Sequence, residues 1–309
     1  MGLYTGVCSR ERTGHHQLIE NLNPKFPLRA FFGHHKCATG WIDTILMELC
    51  YSMGLRMRIV HLPRDFASHS SLAVFVAENE IEFLSYTNAD VRYMEGLKPF
   101  RSFHVVRDPR DIVVSAYFSH KDVHGLYPEI VEHRKRLKSL SKDEGLFAEI
   151  DFSAKEFREL DRWDYTRPDV FEARMEDLTA EPLAQFERIF RFLEVIDDTT
   201  EPAGFGTRTL LSANRLAYRS RHVIPGLARY AVKPLDKIPM SLLEDTLEKF
   251  SFRRLAGGRA KGREDRSSHY RKGVAGDWAN HFLPEHKTYF KDHYGDLLIK
   301  LGYEEGYEW

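Results

Sequence analysis

The stretch LRAFFGHHKCATGW, residues 28–41, decides how this chain folds. Its first residues are apolar and predict a buried strand, which Gly33 ends because the backbone must turn sharply there. Beyond the loop, apolar residues recur at helical spacing up to Met53, and Gly54 is placed to end the helix. A strand, a loop of small residues and a helix N-terminus present free N–H groups and a helix dipole, both of which favour an anion. We therefore predict a phosphate-binding loop over residues 34–40.

The residues of this loop narrow the kind of ligand. In a kinase or NTPase loop of the form GxxxxGK[ST], the lysine directly precedes a Ser or Thr that holds magnesium. Here Lys36 lies three residues before Thr39, and Gly40 is followed by Trp41. The loop therefore lacks a metal-holding residue, and it suits a cofactor whose phosphate lies on the loop and whose base stacks on the indole. Many α/β proteins begin with a similar strand, loop and helix without binding phosphate, so both interpretations stay open at this point.

Composition bounds the class of protein. The chain has 309 residues, enough for one large α/β domain with a full core. Its 45 basic and 46 acidic residues give a net charge of −1, so no overall field recruits nucleic acid or a membrane. Three cysteines, Cys8, Cys37 and Cys50, are typical of a reducing cytosol rather than a disulfide framework. No apolar run approaches about 18 residues and no signal-peptide pattern is present, so we expect a soluble, cytoplasmic protein.

Strand patterns alternate with helix patterns along the chain. Alternating and apolar runs predict strands over residues 28–32, 56–63, 80–86, 100–106 and 170–175. Apolar positions at helical spacing predict later helices over residues 181–193, 241–256 and 284–303. The alternation predicts a single α/β domain over residues 1–309, with a central, mostly parallel sheet flanked by helices. Ligands of such sheets bind beyond the carboxyl ends of the strands, where Gly33, His61, Tyr86 and Arg107 are expected.

A second informative stretch, RDPRDIVVSAYFSH, begins at Arg107. Asp108 is a good N-cap and Pro109 suits the first helical position, so the helix is predicted to start there. Arg107 then stays at the strand end, and Ser115 lies about two turns into the helix. An arginine and a serine so placed are suited to grip one phosphate from two sides. The alternative is that Arg107 simply pairs with Asp108 or Asp111.

A third stretch, HYRKGVAGDWANHF, brings Arg271, Lys272 and Gly273 together. It supplies two cations and a residue that lets the backbone approach a ligand closely. The preceding segment, GRAKGREDRSS, is too polar and rich in glycine to order by itself. Residues 258–273 are therefore predicted to be a mobile basic loop that orders on a phosphate; a solvated run of charge is the alternative.

Three further segments carry weaker signals. Residues 1–25 are polar and irregular and are expected to cover the surface. Residues 120–165 are predicted to be a solvated, partly helical insertion that forms a wall of the acceptor pocket. Residues 197–240, with four prolines, are predicted to be loops and short helices that close over the site. His120 and His124 have the i, i+4 spacing of a metal pair, but no acidic pattern completes it, so no metal site is expected.

The three informative stretches together resemble the cofactor motifs of sulfotransferases that use 3′-phosphoadenosine-5′-phosphosulfate (PAPS). The resemblance spans about residues 28–303 and implies an α/β fold with PAPS as cofactor and no metal. It implies transfer of a sulfuryl group to a hydroxyl or amine of a small-molecule acceptor, such as a natural product, leaving adenosine 3′,5′-bisphosphate (PAP). The family's dimer motif is not recognisable, so the oligomeric state stays open.

The resemblance also implies roles for individual residues. The phosphosulfate loop would consist of Lys36, Cys37, Ala38, Thr39 and Gly40, with two hydroxyls fewer than is usual, so backbone N–H groups carry more of the binding. Trp41 would stack on adenine. The 3′-phosphate would be bound by Arg107 and Ser115, completed by Arg271, Lys272 and Gly273. The stretch ARMEDL resembles the family's strand near adenine and places Arg174 where a tyrosine is more usual.

The resemblance leaves the general base open. Cytosolic members of the family have a histidine at the end of the third strand, where this chain reads LSYTN. Other branches use a carboxylate after the second strand, a position that falls near His61. We favour His61 with Lys36 as the catalytic pair, because an imidazole near neutral pKa takes an alcohol proton and an ammonium neutralises the leaving oxygen. A structural role for His61 and a base at Asp65, His35 or Tyr86 remain alternatives.

Two other functions stay open at this stage. A P-loop kinase would share the strand, loop and helix but require magnesium. A catalytically inactive nucleotide-binding protein of the same fold would keep the anion sites and lack the base.

Overall fold

The computed structural model describes residues 27–99, 101–125, 128–196, 204–220 and 233–309. The predicted surface segment 1–25 and parts of 197–240 lie outside the described residues. Five strands form one sheet, and every neighbouring pair is parallel. The strands are β1 (Arg29–Phe32), β2 (Met57–Val60), β3 (Phe83–Tyr86), β4 (Arg101–Val106) and β5 (Val170–Arg174). Each predicted strand is present, so the predicted α/β fold with a parallel sheet is confirmed.

Helices flank the sheet along the described chain. The first six are α1 (Thr39–Met53), α2 (Leu72–Glu78), α3 (Pro109–Phe118), α4 (Pro128–Ser139), α5 (Lys142–Phe152) and α6 (Ala154–Arg162). The others are α7 (Met175–Ala180), α8 (Pro182–Phe192), α9 (Phe205–Ser220), α10 (Met240–Lys249), α11 (Phe252–Leu255) and α12 (Pro284–Lys300). Short 3₁₀ segments cover Pro63–Phe66, Val91–Tyr93 and Asp277–Asn280, and a π-helical turn covers Ser119–Val123.

The order of the strands creates a crevice at the end of β1. The sheet runs β2-β3-β1-β4-β5, with Phe32 of β1 in register with Tyr86 on one side and His104 on the other. The chain leaves β1 toward β2, whereas the connection from β3 crosses to β4 on the opposite side. Loops that diverge in this way leave a crevice at the carboxyl edge, the usual ligand position in an open parallel sheet.

Two predicted helix ends are confirmed by their capping contacts. Helix α1 ends at Met53, where Gly54 adopts a left-handed conformation with φ of 76°. The side chain of Asp108 accepts a hydrogen bond from the backbone of Arg110, so α3 begins at Pro109.

The core forms where side chains of the central strand pack outward on both faces of the sheet. Phe31 stacks on Phe103 of β4, with ring centroids 4.7 Å apart, in the cluster that also holds the apolar face of α1. Phe32 points to the other face and packs against Trp163. Burying each such ring contributes about 1.5–3 kcal/mol, so β1 and the position of its following loop are firmly set.

Two segments differ from their prediction. Helices α4–α6 are not simply a solvated insertion, because Leu137, Leu146 and Ile150 are completely buried in the main core. Residues 241–256 form two helices rather than one, since α10 ends before Phe250 and α11 begins at Phe252. The break frees the carbonyl of Phe250, which accepts a hydrogen bond from the indole N–H of Trp41 at 2.9 Å.

The described part of residues 197–240 also differs from prediction. It contains the regular helix α9, which packs against α1 rather than over the crevice. The Asn214 amide donates to the carbonyl of Ser52 at 3.0 Å, and Tyr218 stacks on Tyr51 with ring centroids 4.8 Å apart. Within the described chain, no helix is long and apolar enough to cross a membrane.

Candidate functional site

A large cavity opens at the carboxyl edge of the sheet. Its volume is about 1340 Å³, more than a typical pocket for one drug-sized molecule. It is lined by the loop after β1, by Arg107 and by the segment around Lys272. His61 and side chains of α4–α6 line it as well. The cavity is therefore large enough for a nucleotide and a small second substrate side by side.

The loop after β1 has an unusual backbone conformation. Lys36 and Ala38 both have positive φ values, 64° and 59°, although neither is glycine. Such conformations cost free energy and tend to persist at functional sites. In the described chain, no acceptor takes the N–H groups of Lys36, Ala38, Thr39 or Gly40. Successive N–H groups that point into one concavity form an anion-binding nest, so the predicted phosphate-binding loop has the geometry that it needs.

Lys36 adds a tunable charge to this nest. Burial and the nearby Arg107 guanidinium lower the pKa of Lys36 from 10.5 to about 8. The ammonium group is thus poorly compensated while the cavity is free of ligand. An anion bound on the loop would supply the missing negative charge.

Arg107 lies at the end of β4 and joins the two loops of the crevice. Its guanidinium donates to the carbonyl of Lys36 at 3.0 Å, and no carboxylate of the described residues lies within ion-pair distance. Asp108 instead pairs with Arg110, and the carboxylate of Asp111 accepts two backbone N–H groups. The simple pairing of Arg107 with a neighbouring aspartate is therefore not observed. Ser115 lines the same cavity.

The third basic stretch is tied to the site through Asp111. The carboxylate of this residue accepts the N–H groups of Gly276 at 2.7 Å and Trp278 at 2.9 Å. Arg271 and Lys272 both contact Asp277, at 2.6 Å and 2.5 Å, and these hydrogen bonds outweigh burial and lower the pKa of that carboxyl. Both cations line the same cavity as the nest and Arg107. Three separate segments thus bring positive charge to one cavity.

Glycine is required at position 273 because of the backbone conformation there and because no room is left for a side chain. It has φ of 68°, and an added Cβ would overlap the ring of Phe252. Gly276 has a similar φ of 72° but open space around it. We expect Gly273→Ala to lower the free energy of unfolding by roughly 2–3 kcal/mol and Gly276→Ala by only about 1 kcal/mol. Chemical denaturation measures both; equal losses would show that contact with Phe252 contributes nothing.

The remaining residues implied by the resemblance divide into two groups. Trp41 lines the cavity, and its ring is held by Phe250 and by edge contact with Phe186 at 5.6 Å. Cys37 and Arg174 are not among the lining residues. The Cys37 thiol is buried, which raises its pKa to about 12, and its N–H donates to the carbonyl of His34. The Arg174 guanidinium donates to the carbonyls of Leu301 and Gly302, away from the cavity.

The candidate bases named from the sequence have different surroundings. His61 is exposed on the cavity wall, and its Nδ1 lies 2.8 Å from the hydroxyl of Thr87. The Asp65 carboxylate is occupied by the backbone N–H groups of His61 and Leu62. Tyr86 is completely buried, and burial raises its pKa. Of these three, only His61 offers an imidazole on the cavity wall, and the hydrogen-bond partner of its ring is the Thr87 hydroxyl.

His35, the fourth candidate, belongs to a chain of ionisable groups that sequence reasoning missed. Its Nε2 lies 3.1 Å from Nε2 of His120, whose Nδ1 lies 2.8 Å from the Glu149 carboxylate. The other oxygen of Glu149 accepts from His133 at 2.8 Å. Glu149 is completely buried; although burial alone would raise its pKa, the hydrogen bonds from the two histidines lower it. The paired histidines before Lys36 were the visible signal, but Glu149 has no motif.

A second chain starts at the neighbouring His34. Its Nε2 lies 2.7 Å from Nε2 of His104, and Nδ1 of His104 lies 2.6 Å from the Glu172 carboxylate. Trp163 donates to the other oxygen of Glu172 at 2.7 Å. Burial raises the pKa of Glu172 to about 7, whereas the hydrogen bonds from two histidines lower the pKa of Glu149. His34 and His104 are buried beneath the loop and fix its base.

Comparison with known proteins supports the fold. No protein-family model matches the sequence. No curated protein sequence matches it. Mouse sulfotransferase SULT7A1 complexed with PAP is similar in structure, with a TM-score of 0.51 and 13% identity over 93% of this chain and 91% of that one. Retinol dehydratase with androsterone and PAP gives a TM-score of 0.45 at 14% identity, covering 93% and 85% of the two chains. A sulfotransferase from Alicyclobacillus acidocaldarius gives 0.30 at 15% identity, covering 64% and 95%. The fold expected from the sequence motifs, that of sulfotransferases, is thus confirmed.

Proposed function

We propose that this protein is a PAPS-dependent sulfotransferase that modifies a hydroxyl or amine of a small molecule. The observation that carries the proposal is the combination of unpaired N–H groups on the loop after β1 with cations from three chain segments around one cavity. PAPS carries anionic groups at both ends of an adenosine, so it requires two anion sites and a flat surface between them. One anion site is formed by the nest with Lys36, and the other by Arg107 with Lys272. The flat surface is the ring of Trp41.

The residues divide the work as follows. The nest and Lys36 bind the phosphosulfate, while Arg107, Ser115, Arg271 and Lys272 bind the 3′-phosphate. PAPS supplies an activated sulfuryl group whose transfer leaves negative charge on a phosphate oxygen. The Lys36 ammonium neutralises that charge, and Trp41 keeps the nucleotide in register.

The part of the cavity lining outside the loop and the basic stretches fits a small acceptor. Phe152, Ile130 and Tyr93 give it apolar surface, and Glu156 and Glu159 add acidic groups. This mixture suits an aromatic or amphipathic molecule that carries the hydroxyl or amine to be modified.

Calorimetric titration with PAP in the absence of magnesium tests the cofactor. We expect micromolar binding, together with transfer of labelled sulfuryl from PAPS to simple phenols or amines. No PAP binding, with ATP bound only when magnesium is present, would refute the proposal and favour a P-loop kinase. Tight PAP binding without transfer to any acceptor would favour an inactive nucleotide-binding protein.

A further inference from the structure

The Glu149 chain ends at the cavity beside the proposed sulfuryl position, and this location suggests a catalytic use. A completely buried carboxylate is costly unless it is paired, and Glu149 is paired with two histidines rather than with an arginine or lysine. One of these, His120, is also hydrogen-bonded to His35, which directly precedes Lys36. Ionisable groups arranged in this way near a cavity are candidates for proton transfer.

The hydrogen bonds assign the proton on each ring. The ionised Glu149 only accepts, so His120 donates from Nδ1 and carries its lone pair on Nε2. His35 must then donate from its own Nε2 to His120, which leaves the lone pair of His35 on Nδ1. Among the described residues, the hydrogen bond of the His35 ring is made by Nε2 and not by Nδ1, and His35 lines the cavity. The network therefore holds His35 in a tautomer that accepts a proton.

The surroundings of His35 keep its ring neutral, so that a lone pair is present. Burial is the main cause of the lowered pKa of His35, and the adjacent Lys36 ammonium lowers it further. His124 contributes a ring at 5.3 Å from that of His35.

Resting on the proposed sulfotransferase function, we propose that His35 is the general base, and that His120 and Glu149 are positioning residues that fix its tautomer and stabilise its protonated form. As the acceptor oxygen bonds to sulfur, its O–H bond breaks and the proton goes to Nδ1 of His35. The bond from sulfur to the phosphate oxygen breaks at the same time, and its electron pair stays on that oxygen beside Lys36. The proton returns to solvent after the products leave. His61, with only a hydroxyl on its ring, lacks such support.

Two matched acceptors separate a base from a structural residue. Phenol keeps its proton at about pH 8, whereas p-nitrophenol is largely ionised there and needs no base. With PAPS as donor, we expect His35→Gln to lose about 100-fold or more toward phenol and only a few-fold toward p-nitrophenol. His120→Gln and Glu149→Gln are expected to show the same selective loss, at least about tenfold. His293→Gln, a surface histidine bonded to the carbonyl of Tyr289, serves as the unaffected control.

Several outcomes would overturn the assignment. Equal losses toward both acceptors in His35→Gln would indicate a structural role, and PAP titration of that variant shows whether the cofactor site still forms. A selective loss in His61→Gln but not in His35→Gln would make His61 the base. A wild type that modifies p-nitrophenol but never phenol would have no working base.

Two further results separate the base from the proposed function itself. Activity abolished by EDTA and restored by zinc would assign His35, His120 and His124 to a metal, since their ligand atoms lie within 4.8 Å of one another. A wild type that neither binds PAP nor modifies either phenol would refute the sulfotransferase function, and the assignment of His35 with it.

Discussion

Replacing Lys36 with methionine is expected to slow sulfuryl transfer from PAPS by roughly 100- to 1000-fold, the usual cost of removing one preorganised charge from a transition state. Methionine keeps much of the apolar stem and removes the ammonium that would neutralise the leaving oxygen. PAP binding should weaken far less, because the nest N–H groups remain. Transfer to p-nitrophenol at saturating PAPS isolates this effect on kcat from any effect on the base.

The pH dependence of PAP binding gives a second measurement on the same variant. Since the pKa of Lys36 is about 8 in the free protein, the ammonium is present below about pH 8 and is lost above it. A bound anion favours the protonated form, so wild-type PAP affinity should fall as pH rises through about 8. Lys36→Met should lack this fall, and Lys135→Met, an exposed lysine paired with Glu132, should retain it. A variant that tracks the wild type at every pH would remove Lys36 from the site.

Patterns between residues close in sequence were sufficient to predict the sheet, the loop after β1 and the position of Arg107 at a strand end. The loop after β1 follows from small residues between an apolar strand and a periodic helix, and the cap at Asp108 fixes Arg107 at the strand end. These features depend on neighbours in sequence. The strand order then brings Arg107 against the carbonyl of Lys36 without any further signal being needed.

The contacts that the sequence did not predict join residues that are far apart in sequence. Glu149 lies 29 residues from His120, and Glu172 lies 68 residues from His104, so neither chain of histidines has a recognisable spacing. Arg174 was assigned to the adenine site by resemblance alone. Its long guanidinium instead reaches the end of α12 and the ring of Tyr303, which a tyrosine at this position would not do in the same way.

The loop after β1 thus has contacts on two sides. From above, the unpaired N–H groups and Lys36 face the cavity. On the other side, His34 leads through His104 to the partly buried Glu172, and His35 leads through His120 to the buried Glu149. A strained backbone with positive φ at two ordinary residues is sustained by this support, which also explains why a histidine pair precedes the lysine.

Replacing Arg107 with methionine is expected to weaken PAP binding by about 100-fold, or about 3 kcal/mol, because a guanidinium makes two charge-assisted hydrogen bonds to one phosphate. Arg107→Lys keeps the charge and loses the planar fork, so its loss should be intermediate. Arg188→Met, which removes a surface arginine that packs on Phe171, is the control and should bind PAP normally.

The same variant should also change Lys36, and this separates a direct contact from a general loss of folding. Arg107 is, after burial, the main cause of the lowered pKa of Lys36. Without that guanidinium, the pKa of Lys36 should rise, so the residual PAP affinity of Arg107→Met should begin to fall only at a higher pH than in the wild type. Calorimetry of both proteins over a pH series measures the displacement. Unchanged PAP affinity in Arg107→Met would place the 3′-phosphate elsewhere, and weaker binding with an unmoved pH dependence would show that Arg107 and Lys36 act on the nucleotide independently.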